Sequence, residues 1–73
     1  MPCVSADGKP TSSGLATLKS LKDGALNPEG VASKTGQPLF RVRSGLRELQ
    51  NAGFIEQTEN KYSLSKSGTA LIQ

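Results

Sequence analysis

Apolar positions in this chain fall into short periodic groups separated by glycine, proline and asparagine. Leu15, Leu18 and Leu21 recur at intervals of three, a spacing that places them on one stripe of a helix. Thr11, Ser12 and Ser13 precede them with side-chain oxygens able to accept at a helix N-cap, and Asp23-Gly24 follows as a stop. This pattern predicts a first helix. Ala25 and Leu26 read as a short extended link. Asn27-Pro28-Glu29 then supplies a cap, a proline suited to the first helical position and an acid that complements the positive helix end. The second helix carries Val31 and Ala32 inward and ends near Thr35, where Gly36 can turn the chain sharply in the left-handed conformation.

The clearest periodicity belongs to the third helix, predicted over about residues 38–51. Leu39, Val42, Leu46 and Leu49 recur at three, four and three, giving one buried stripe with polar residues around the rest. Pro38 opens it and Ala52-Gly53 ends it. Residues 54–58 are rich in β-branched and aromatic side chains and predict a strand. Glu59-Asn60 makes a turn, and Lys61 to Leu64 return as a second strand with Tyr62 and Leu64 on one face. Ser65 caps a final short helix bearing Ala70, Leu71 and Ile72, which Gly68 weakens. Residues 1–10 lack an apolar period and contain two prolines and the turn dipeptide Asp7-Gly8, so they read as a flexible tail, with a short strand at Val4 as one option. The domain organisation expected is therefore a tail, 1–10, and one folded unit, 11–73.

Composition narrows the function classes. A chain of 73 residues forms one small domain with a thin core. Nothing in it approaches the length of a membrane span, and the amino terminus lacks the apolar segment of a signal peptide, so a cytoplasmic protein is expected. Histidine is absent and cysteine occurs once, at Cys3, which leaves no Cys/His metal site, no internal disulfide and no histidine-dependent triad. Cys3 is expected to be a reduced, unremarkable thiol. No glycine-rich phosphate loop is visible either, so no enzyme, cofactor or metal is expected. Nine basic and six acidic residues give +3 and a pI near 9.4, a balance that fits an anionic partner. All three arginines, Arg41, Arg43 and Arg47, lie on the third helix.

A short helix, a glycine turn and an amphipathic helix have the form of a helix-turn-helix. The whole order of elements resembles the winged helix-turn-helix fold: a mainly helical α+β domain with a three-helix core, a C-terminal two-stranded wing and a short terminal helix. Arg43-x-x-Leu46-x-x-Leu49-x-x-Ala52-Gly53-Phe54-Ile55 is similar to the end of the recognition helix and start of the wing in MarR-type and ArsR-type repressors. Tyr62-Ser63-Leu64-Ser65-x-x-Gly68 resembles the close of the wing in the same superfamily. The resemblance implies binding of double-stranded DNA by insertion of the third helix into the major groove, transcriptional regulation, and a homodimer on a palindromic site. The chain departs from those relatives in lacking the long dimerising helix and the cysteines or histidines of metal sensors.

On that reading Gln37 and Arg41 are placed to reach base edges, Ser44 and Arg47 to touch phosphate, and Arg43 to do either that or run its stem along the domain. Lys61 is the candidate contact of the wing, whose acids Glu56 and Glu59 offset it. Phe40 has two readings, an outward contact with a thymine methyl group or packing beneath the second helix or the tail. Glu48 on the same arc opposes phosphate. The alternative function is a winged-helix module without direct DNA contact that presents the third helix or the hairpin to a protein partner.

Overall fold

The computed structural model describes residues 4–72; Cys3 lies outside them. Among these residues the chain forms α1 (Ser12–Ser20), α2 (Pro28–Thr35), α3 (Leu39–Asn51), β1 (Ile55–Thr58), β2 (Lys61–Leu64) and α4 (Lys66–Ile72). The fold is mainly helical α+β, with a two-stranded antiparallel sheet. Its element order follows the hydrophobic period closely; α1 and α2 begin on side-chain caps, whereas α3 opens at Pro38 without one. The Thr11 hydroxyl accepts from the Gly14 amide at 3.3 Å, and Asn27 Oδ1 accepts from the Gly30 amide at 2.8 Å. Gly36 ends α2 with φ 73 and its amide donates to the Ala32 carbonyl at 2.9 Å.

The core lies between the three longer helices and the base of the hairpin. Leu18 and Leu21 from α1 and the turn after it, Val31 from α2, Val42, Leu46 and Leu49 from α3, and Ile55 from β1 form one buried cluster. Leu15, Leu39 and Ala32 are only half-buried. Two polar residues enter the buried side of α1 without leaving orphan hydroxyls. Thr17 Oγ1 donates to the Ser13 carbonyl at 3.1 Å and Ser20 Oγ to the Thr17 carbonyl at 2.6 Å, so local backbone satisfies both.

The hairpin pairs Ile55 with Leu64 and Thr58 with Lys61, and Glu59 takes φ 58 in its two-residue turn. The link before α2 also joins the sheet edge. Leu26 and Tyr62 exchange backbone hydrogen bonds of 3.0 and 2.8 Å in an isolated antiparallel bridge. Residues 4–10, where the sequence suggests a loose tail, close on themselves instead. Val4 bridges Pro10 and packs against the core, and the Ser5 amide reaches the Lys9 carbonyl at 2.8 Å. Asp7 accepts from the Ser5 hydroxyl and from the Lys9 amide, and these bonds hold its carboxyl below its usual pKa.

Helix α4 is where local propensity and packing disagree. Gly68, a weak helix former, is buried. A Cβ at this position would collide with the Phe54 carbonyl and stand 3.3 Å from Leu64 Cδ2. The glycine is needed for the helix to sit down on the start of the hairpin. Ser65 secures the same junction: its amide donates to the Phe54 carbonyl at 3.0 Å, and its hydroxyl donates to the Gly53 carbonyl at 2.6 Å. That hydroxyl also accepts from the Gly68 amide at 3.2 Å.

Candidate functional site

Two surfaces stand out, the outer face of α3 and a groove on the opposite chemistry, mostly apolar, beside α4. On α3 the inward stripe contains Val42, Gly45, Leu46 and Leu49, all buried. Arg41, Ser44 and Arg47 are exposed, as the period requires. Phe40 is 71% exposed, so the packing option for it does not occur. Arg43 is exposed and lies 3.8 Å from Glu29, which ties α3 to the first turn of α2. This is a solvated pair of small energetic value. Lys61 is exposed at the hairpin end, one register step from the turn.

Gln37 departs from its expected place. It lies in the turn before α3, its amide 3.4 Å from Thr35 Oγ1, and its Oε1 is buried with no hydrogen-bond partner among the described residues. The acceptor end needed for a two-bond contact with a base edge is turned into the protein. The third helix thus keeps an exposed basic arc of Arg41 and Arg47 with Phe40 beside it, while Gln37 and Arg43 are engaged with the fold.

The groove arises where α1 ends, the link to α2 passes, and β2 meets α4. Its volume is about 500 Å³ and it opens to solvent. Leu21, Leu64 and Ile72 supply its apolar lining, and Lys22, Ser63 and Thr69 its polar lining. Gly24 and Ala25 complete it with almost no side-chain bulk, which is why space remains there. Leu21 is nearly fully buried, at 2% exposure, and so forms the base. The Leu26–Tyr62 bridge holds the link in place at one side. Sequence patterning puts Leu21 on the stripe of the first helix, Leu64 on one face of the second strand and Ile72 on the last helix. No signal within any one segment places them around a common space.

No protein-family model matches the chain, and no curated protein matches it. Solved structures do. One is CalO1, a methyltransferase in calicheamicin biosynthesis in its SAH-bound form, with a TM-score of 0.71 and 25% identity over 82% of this chain. Another is the N,N-8-amino-8-demethyl-D-riboflavin dimethyltransferase RosA from Streptomyces davawensis, with a TM-score of 0.71 and 27% identity over 81% of this chain. In both cases the chain spans 18% of the other protein's length.

These neighbours correct the functional expectations drawn from the sequence. The similar proteins are methyltransferases, not MarR-type or ArsR-type repressors, and the ligand named for one of them is SAH. The expectation of a DNA-binding transcription regulator with double-stranded DNA as partner is overturned, and with it the alternative of a winged-helix module for a protein or homodimer partner. The expectation that no enzyme is involved falls for the same reason. The physical source of the error is plain. Arginines on the outer face of an amphipathic helix establish positive charge at a surface, and the same packing of helices serves unrelated functions. Neither observation specifies a partner. No helix among the described residues is long and apolar enough to cross a membrane.

Proposed function

We propose that the chain serves methyl transfer to a small molecule, as the helical module that accompanies a donor-binding catalytic region rather than as that region itself. The observation that carries this reading is the asymmetry of the structural match: four fifths of this chain align with 18% of each of two methyltransferases. In this reading the three packed helices, hairpin and closing helix are a winged-helix arrangement used as scaffold. A nucleotide-bearing ligand such as SAH is commonly held at the carboxyl ends of a parallel sheet, where loops and helix starts converge on it. The sheet described here is a two-stranded antiparallel hairpin, so the donor site is assigned to the larger part of the enzyme.

Two measurements test this. Titration of the chain with SAH in a calorimeter should give no saturable heat. Replacement of the matching segment of the riboflavin dimethyltransferase by this chain should retain methyl transfer to the aminoriboflavin above the level of the same enzyme lacking the segment. Tight SAH binding by the chain alone would overturn the assignment of the donor site. A folded, SAH-binding chimera with no more activity than the deletion would overturn the accessory role.

A further inference from the structure

We propose that the groove beside α4 is a binding site for a small planar aromatic anion. The inference stands on the chain's own geometry and is independent of the methyltransferase reading. A space of about 500 Å³ falls within the range of small-molecule sites, roughly 300–1,000 Å³. Its lining has the composition such sites share: leucine and isoleucine surfaces with a few convergent polar groups.

The polar groups define the ligand. Lys22 lines the groove, is exposed, and forms no ion pair among the described residues. Lys34, by contrast, is engaged by Asp23 at 3.8 Å and by the Ser20 carbonyl at 3.4 Å. The Lys22 ammonium is thus available to meet an anionic group at the mouth of the groove, by a charge-assisted hydrogen bond. The Thr69 hydroxyl donates to the Ser65 carbonyl at 2.9 Å, so towards a ligand its oxygen is an acceptor only. Ser63, on β2, carries a hydroxyl able to donate or accept. Among the described residues no carboxylate lines the groove. Gly24 and Ala25 leave one wall nearly bare backbone, a surface against which a flat ring can lie. Together these features fit a flat apolar ring system with an anionic group directed to Lys22.

The test uses anilinonaphthalene sulfonate as anionic ligand and N-phenylnaphthylamine as its uncharged counterpart, each added to the full chain. The sulfonate should bind saturably, with enhanced emission, and its amide shifts should centre on Ala25, Ser63 and Thr69. Lys22→Glu should weaken the sulfonate by about tenfold or more, equivalent to roughly 1.4 kcal/mol, and leave the uncharged compound within about twofold. Ala25→Trp, at an exposed position, should fill the groove and abolish binding of both. If that variant unfolds, the Lys22→Glu pair of titrations decides alone. The proposal is overturned by absence of saturable binding, by shifts centred on the Phe40 face, or by equal affinity of Lys22→Glu for the sulfonate. Groove resonances that move with protein concentration and not with ligand would assign the groove to a second copy and overturn it equally.

Discussion

Gly68→Ala tests the docking of the last helix, because two physical effects of known sign oppose each other there. In an exposed helix interior, alanine is more favourable than glycine by about 1 kcal/mol. At this position the new Cβ would overlap the Phe54 carbonyl oxygen, stand 3.0 Å from the carbonyl carbon and 3.3 Å from Leu64 Cδ2. The obstacle is backbone, so no rotamer change relieves it. Either α4 stays and the junction is overpacked, which costs about 1–3 kcal/mol, or α4 lifts away. Lifting loses the Ser65 amide and hydroxyl bonds to Phe54 and Gly53, about 1 kcal/mol each, together with part of the burial of Ile72, about another 1 kcal/mol. Set against the propensity gain, lifting leaves a net loss of about 2 kcal/mol and overpacking one of up to about 2 kcal/mol, the upper end being expected because the overlap is with backbone. For a domain of this size that is a fall in melting temperature of about 10 °C. Urea unfolding followed by circular dichroism measures the loss, and faster hydrogen exchange at the Ser65 amide would locate it. Stability equal to or above that of the parent would refute the reasoning, since it would mean that α4 is free of the hairpin and follows propensity alone.

Gly36→Ala, at φ 73 with open space around the site, should cost about 1–2 kcal/mol through backbone conformation alone, and Gly36→Asn should cost less; the two urea midpoints compared with the parent provide the check. Arg41→Ala combined with Arg47→Ala should leave the unfolding free energy within about 0.5 kcal/mol of the parent, because both side chains are exposed on α3. A large loss in that double variant would mean that the outward face of α3 has been misassigned.

Much of the architecture was legible in the chain because its signals are local. The caps Thr11 and Asn27, the left-handed Gly36, and the stripe of Val42, Leu46 and Leu49 each act within a few residues. Those interactions mark where each element starts and stops once packing of its apolar face stabilises it. The hairpin was equally accessible, since alternation and a two-residue turn determine its register. Function was not accessible in that way. The arginine cluster is real and exposed, yet its inferred partner was overturned by likeness to methyltransferases.

What tertiary structure decided is the meaning of residues whose role depends on distant neighbours. Gly68 reads as a flaw in a helix and is a requirement for close approach to Phe54. Gln37 reads as a solvent-facing amide, and the turn buries its acceptor oxygen. The groove needs residues 21–25, 63–64 and 69–72 in one place. Hydrophobic period encodes which side of each helix is buried, whereas the space left between elements depends on how they meet.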